Sequence, residues 1–316
     1  MRSCGIFGWV LVAAVLATLL AAGNVGASPP GPRLAVAKVN WHPWRTTLVS
    51  VSPDGSRPLR LAGGEQGGPL HAILFSPLSW SPGGEEFAFS GIDTIYLVKA
   101  NGDGARPLNV ADAVTPVYAP DGQAIAFSRG NDREAAIWTV DLASGAQRRQ
   151  TPARRGLKMV PSSFSPDATL LLATRIDRHT DEVEPVSVDL ETGKVTRLFG
   201  DGREPVFSPD GTEIAFFREI GKRGNDDLFV LDVASGQLRR LTRTPNKVEL
   251  FASWDPSGER IAFSRFRGEH YGWANSIVQI NADGTCETEI ISKKRTVFWG
   301  AAWQPGPGRG AGPIDC

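Results

Sequence analysis

Catalysis needs side chains of matched type within reach of one another, and in this sequence the reactive types are few and scattered. There are four histidines, His42, His71, His179 and His270, and three cysteines, Cys4, Cys286 and Cys316. No G-x-S-x-G elbow, H-E-x-x-H helix, C-x-x-C pair or P-loop occurs. The Gly-rich run Gly306-Pro307-Gly308-Arg309-Gly310 lacks the strand-then-helix setting of a phosphate cradle and reads as a linker. Asp141, Asp189 and Asp232 recur at intervals, but a calcium site needs several oxygens converging on one point. One acid standing before each turn is better suited to capping that turn. The chain therefore offers no catalytic set, no metal-ligand set and no cofactor motif, and binding is the chemistry left to consider.

The elements that would position a binding site follow from an internal repeat. The pattern aromatic-x-Pro recurs in register at Trp80-Ser81-Pro82, Tyr118-Ala119-Pro120, Phe164-Ser165-Pro166, Phe207-Ser208-Pro209, Trp254-Asp255-Pro256 and Trp303-Gln304-Pro305. The steps between the aromatics are 38, 46, 43, 47 and 49 residues, a period that signals propeller blades. After each of the first five comes a turn such as Asp121-Gly122 or Asp210-Gly211, then a β-rich run such as Ile125-Ala126-Phe127 or Ile214-Ala215-Phe216. A second alternating strand follows, as in Ile137-Trp138-Thr139-Val140-Asp141, and then a short polar strand such as Arg239-Arg240-Leu241-Thr242. Four strands per repeat, with no amphipathic helix, predict an all-β fold. The first repeat has only three strands, between Arg33 and Leu61, and the missing one stands at the other terminus as Gly300-Ala301-Ala302-Trp303. The expectation is a six-bladed β-propeller of four-stranded blades over residues 28–304, closed by the C-terminal strand, which supplies the innermost strand of blade one and removes an exposed sheet edge.

The order aromatic-Ser-Pro-Asp-Gly, Ile-Ala-Phe, Ile-Trp-x-x-Asp and Arg-Arg-Leu-Thr resembles the repeat of the TolB-like (PD40, WD40-like) β-propeller family, and the resemblance runs over nearly all of residues 28–304. It implies a propeller that receives a protein or peptide segment at the mouth of its tunnel. The family pattern also includes an α/β domain ahead of the propeller. Here only a few residues separate Ala27 from the first strand, so the resemblance does not imply a complete role in the Tol-Pal system.

In a propeller the loops between the second and third strands of each blade share one face with the entries to the inner strands. That face is the expected mouth. The longest such loop, in blade six, carries His270, Tyr271 and Trp273, and ring closure brings it beside Trp41, His42, Trp44 and Arg45 of blade one, with Trp299 between them. Trp, Tyr and Arg offer large rigid surface with a polar handle, the types in which binding energy concentrates. Arg203, Glu204, Glu249 and Phe251 precede inner strands and could reach a ligand entering the tunnel, and Arg203, Glu204 and Phe251 complete the expected binding set. Trp41 and Trp44 would equally serve to cover the closing seam. Two other uses of the mouth stay open: a hydrolase or lyase built on His42 and His270, and a carbohydrate or cell-wall ligand stacked on Trp44, Trp273 or Trp299.

The ends set the compartment. Arg2, the apolar run from Gly5 to Ala22 and the small residues Val25-Gly26-Ala27 have the order of a secretory signal peptide over residues 1–27, with an uncleaved anchor as the competing reading. The mature chain then retains 33 basic and 34 acidic residues, so bulk charge selects no nucleic-acid or anionic-membrane partner. A secreted or periplasmic monomer engaging a cell-envelope protein is expected, with no membrane span once the signal is gone. Cys286 and Cys316 form an even pair in an oxidising compartment and are expected to join, tethering the Gly/Pro-rich tail 305–316.

Overall fold

The computed structural model describes residues 31–41, 44–64, 77–91, 94–131, 133–221, 225–267, 275–293 and 296–316, and for Asn40, Trp41, Trp44, Arg45, Ala62, Gly63 and Gly64 the backbone alone. Among these residues all regular structure is β-strand, and no helix is long and apolar enough to cross a membrane. In chain order the strands are Leu34–Trp41 (β1), Trp44–Val51 (β2) and Leu59–Gly64 (β3); Ser79–Trp80 (β4), Glu86–Ser90 (β5), Ile95–Lys99 (β6) and Arg106–Pro107 (β7); Ala113–Tyr118 (β8), Ala124–Asn131 (β9), Glu134–Asp141 (β10) and Gln147–Arg149 (β11). There follow Leu157–Phe164 (β12), Leu170–Asp177 (β13), Val183–Asp189 (β14) and Val195–Arg197 (β15); Arg203–Phe207 (β16), Glu213–Glu219 (β17), Asp226–Asp232 (β18) and Leu238–Arg240 (β19); Lys247–Trp254 (β20), Arg260–Arg267 (β21), Asn275–Asn281 (β22) and Thr288–Ser292 (β23); and Thr296–Trp303 (β24).

Each group of four is an antiparallel meander. The units built on β8 and β12 are joined into one sheet by a single parallel contact between Ala135 and Lys158. The strand β24 runs antiparallel to β1, pairing Trp303 with Leu34, so the first unit takes its inner strand from the C-terminal end.

The repeat residues explain this regularity. After the aromatic, Ser208 and Asp210 fold the chain back: Asp210 Oδ1 accepts from Ser208 Oγ at 2.6 Å and Thr212 N at 3.1 Å, and Gly211 takes φ 75°. In the units built on β8, β12 and β16 the second turn is held by the recurring acid. Asp141 accepts from Ser144 N and Oγ, Asp189 from Thr192 N and Oγ1, and Asp232 from Ser235 N and Oγ. These bonds hold all three carboxyls below the usual carboxylate range. The three acids are turn caps.

The Ile-Ala-Phe runs are apolar without alternation because neighbouring sheets cover both of their faces. Phe87, Phe89, Phe127, Phe216, Phe217 and Phe263 are all fully buried, each such burial contributing about 1.5–3 kcal/mol. The repeated aromatics stitch adjacent units together: Trp80 Nε1 donates to Ala302 O at 3.0 Å, Trp254 Nε1 to Val206 O at 3.3 Å, and the Tyr118 hydroxyl to Glu86 Oε1 at 2.7 Å.

The tail has no regular structure yet is pinned. Cys286 and Cys316 are disulfide-bonded with Cα atoms 5.4 Å apart. Ala311 N donates to Asp255 Oδ2 at 2.8 Å, Ile314 N to Asn281 Oδ1 at 2.7 Å, and the Arg260 guanidinium to the carbonyls of Ala311 and Pro313.

Candidate functional site

Four of the strands that line an axial cavity carry a β-bulge, which bends the strand locally and re-aims a side chain. The pairing register slips between Val114 and Val117 in β8, Pro161 and Ser163 in β12, Arg203 and Val206 in β16, and Leu250 and Ser253 in β20. At three of these bulges a non-glycine residue adopts the left-handed conformation: Thr115 at φ 54°, Glu204 at 52° and Phe251 at 62°. Such backbone costs on the order of 1–2 kcal/mol per residue and re-aims a side chain. All three line the axial cavity. In β24 the equivalent residue is Gly300, at φ 59° and without that penalty.

A bulge frees a backbone N–H, which needs an acceptor. The preceding unit supplies it from the residue that follows its Ile-Ala-Phe run. Thr115 N donates to Ser90 Oγ at 2.9 Å, and Glu204 N to Thr174 Oγ1 at 2.8 Å. Pro161 has no N–H, and Ser128 instead donates to Met159 O at 2.8 Å. In the fifth unit the hydroxyl position is occupied by Phe217, packed against Phe263 with ring centroids 6.4 Å apart. There Glu204 does the work: Phe251 N donates to its Oε2 at 2.7 Å.

Glu204 thus projects into an axial cavity of about 330 Å³ walled by Val160, Pro161, Val206, Leu250, Phe251 and Trp299. A second cavity of about 450 Å³ continues from it past Val160 and Glu204 to Lys158 and Arg203. Because Glu204 faces the cavity it is only half-buried by area, yet it lies deep in the protein. Burial, aided by the nearby Asp226 charge, pushes its carboxyl up from 4.5 to about 7, against the opposing pull of the Phe251 N–H and Arg203.

Around this end stands a set of buried acids, each with its own arginine. Arg203 pairs with Asp226, Arg240 with Asp227, and Arg265 with Glu249 at 2.8 Å and with Glu287. Glu249 is wholly buried and also accepts from Leu228 N, Thr242 Oγ1 and Thr244 Oγ1. Its acceptor capacity is spent within the protein.

The expected site residues divide accordingly. Arg203, Glu204 and Phe251 meet at the axial cavity, joined by Trp299, which is buried against Phe266 and Phe251 at centroid distances of 4.8 and 5.9 Å. Trp41 and Trp44 face each other in register at the end of β1 and β2, with Arg45 next along β2, and their side chains lie outside the described residues. His42, His270, Tyr271 and Trp273 lie outside them altogether, as do residues 1–30. Sequence reasoning missed Thr115, Val160 and Thr174. A signal for the bulges was present, since Thr115, Pro161, Glu204, Phe251 and Gly300 each stand three residues before a repeat aromatic. Among the described residues no group of three His, Cys, Asp or Glu side chains is placed to hold a metal ion. His179 stands exposed in the β13–β14 loop, apart from the cavity residues named above.

No protein-family model matches the chain. A TolB homolog of Chlorobium luteolum is 31% identical over 154 residues, 48% of this chain and 34% of that protein. The chain spans between a third and about half of the length of the curated relatives it matches. Among solved structures, TolB from Acinetobacter baumannii superposes with a TM-score of 0.72 at 20% identity, covering 87% of this chain and 67% of the other. A protein of Agrobacterium tumefaciens assigned as TolB gives 0.65 at 17% identity, covering 87% of this chain and 98% of the other.

Proposed function

We propose, because the chain is a TolB-like β-propeller, that it is a binding module of the cell envelope: a six-bladed ring, closed by β24 against β1, that receives a segment of a protein partner in its axial tunnel. The observation that carries this reading is the pair of contiguous cavities along the axis, apolar in the deeper part, with Glu204 between them and Lys158 and Arg203 at the wider end. A concave, mostly apolar site with a few convergent polar groups is the usual form of a binding pocket. Nothing in the described part of that pocket pairs a nucleophile with a base. The envelope location rests on the secretory pattern of residues 1–27, and the rim of the mouth on Trp41, His42, Trp44, Arg45, His270, Tyr271 and Trp273.

The test is capture from envelope extracts by the mature chain, by a tunnel variant, Val160→Trp, and by a rim variant, Trp44→Ala/Tyr271→Ala/Trp273→Ala, with circular dichroism to establish equal folding. A partner bound saturably by the native chain and lost from the tunnel variant supports the reading. Equal capture by native and tunnel-blocked chains contradicts it.

A further inference from the structure

We propose that the deep cavity is a receptor for a lysine side chain, whose ammonium group pairs with Glu204 while its methylene stem lies along Val160, Val206, Leu250 and Trp299. This rests on the reading of the tunnel as a peptide-binding site and specifies what the bound segment inserts.

Three observations lead to it. The first is what Glu204 lacks. Its Oε2 accepts the Phe251 N–H, and no protein donor to Oε1 is found among the described residues. Two of the neighbouring hydroxyls are committed elsewhere: Ser162 donates to Pro205 O at 2.6 Å, and Thr115 to Val114 O at 2.7 Å. A carboxylate in an apolar chamber with an unfilled acceptor calls for a donor brought by a ligand.

Charge is the second. Of the two nearest ionised groups, Arg203 is paired with Asp226, so the pair is close to neutral and the Glu204 charge is left for the chamber. Lys158 stands farther out, along the wider cavity.

The third is shape, and it selects lysine over arginine. A guanidinium fork binds a carboxylate best through both oxygens at once, and one oxygen is already engaged by backbone. A compact ammonium needs only the other, and its apolar stem matches the chamber wall. The deep cavity, about 330 Å³, has room for on the order of ten waters, enough for such a side chain.

The probes are n-butylammonium, n-butylguanidinium and 1-butanol, added at constant ionic strength to the ¹⁵N-labelled mature chain and followed by NMR at the Phe251 and Thr115 amides and the Trp299 indole. The groups that face Glu204, namely Arg203 on its own strand, Asp226 on β18, Thr174 on β13 and Lys158 on β12, are unchanged in every arm. At pH 8 butylammonium should saturate these signals at roughly five-fold or more lower concentration than either other probe. Lowering the pH to 5.5 should bring butylammonium close to the butanol level by protonating Glu204 and leave butanol unaffected. Glu204→Gln should reduce butylammonium to the butanol level. If that variant does not fold, Val206→Phe, which fills the chamber and keeps the carboxyl, should abolish the response to all three probes. Equal binding of ammonium and alcohol, a preference for guanidinium, or an ammonium response that ignores pH would overturn the assignment. Loss of the lysine assignment alongside tunnel-dependent partner capture would leave the binding-module reading standing.

Discussion

Two stretches of the tunnel wall meet the same structural demand with different chemistry. Between the second and third units, and again between the fourth and fifth, a hydroxyl takes the bulge N–H: Ser90 for Thr115 and Thr174 for Glu204. Between the fifth and sixth a carboxylate does it, Glu204 for Phe251, because Phe217 fills the hydroxyl position with a ring. A hydroxyl there is local, neutral and finished. A carboxylate reaching along the wall brings a charge into the chamber and keeps acceptor capacity in reserve. Repetition builds the wall, and the break in repetition gives it a chemical identity.

Several substitutions would sharpen or break this comparison. The largest effect should come from Glu249, the acid of the sixth unit whose bonds are all internal. Glu249→Ala leaves Arg265 with less compensation, removes the acceptor of the Thr242 hydroxyl and the nearer acceptor of the Thr244 hydroxyl, and leaves Leu228 N on Thr242 Oγ1 alone, and should cost about 3–5 kcal/mol in urea unfolding. If the loss is under about 1 kcal/mol, the arginine-matched acids are not structural braces.

Next comes the hydroxyl brace. Thr174→Ala removes the acceptor of Glu204 N and should cost about 1–2 kcal/mol, with Thr174→Ser recovering most of it.

Glu204→Gln should behave in the opposite way at high pH. A carboxyl raised in the fold holds its proton longer than in the unfolded chain, so the fold binds more protons and stability falls as pH climbs from 4.5 to about 7. The glutamine keeps an acceptor for Phe251 N and carries no charge. It should therefore unfold about 1–2 kcal/mol later than the native chain at pH 8 and show no gain at pH 4. A variant less stable at both would mean that the charge itself stabilises the bulge.

The smallest effect concerns backbone strain. Thr115, β-branched and at φ 54°, is costly in a left-handed bulge, and Thr115→Gly should stabilise by up to about 1 kcal/mol despite the loss of a side chain.

The architecture was legible in the sequence because each rule is local and repeated. The aromatic-x-Pro-Asp-Gly turn, the doubly covered Ile-Ala-Phe run and the Asp-capped second turn are read from neighbouring residues, and the return of Gly300-Ala301-Ala302-Trp303 to β1 follows from counting strands. The site was legible only in part. Arg203, Glu204 and Phe251 were singled out as preceding inner strands and stand instead within β16 and β20, lining the two cavities; that Glu204 takes the Phe251 N–H depends on a hydroxyl missing at Phe217, 34 residues before Phe251, which no local rule connects to it. Trp299 was expected at the rim and stands buried beside the chamber, since alternation along an inner strand does not reveal where a bulge resets which face a residue takes. The pinning of the tail by Arg260, Asp255 and Asn281 was equally hidden, because each of those residues serves first in its own turn or strand.

The most direct test of the account is a carbon-13 NMR titration of the Glu204 side-chain carboxyl in the native chain, assigned by comparison with Glu204→Gln. The account predicts a midpoint near 7, with the Phe251 amide proton moving in step as its acceptor changes charge. A midpoint at the ordinary 4.5, with Phe251 unmoved, would mean that the carboxyl stands in water and that the tunnel holds no sequestered charge.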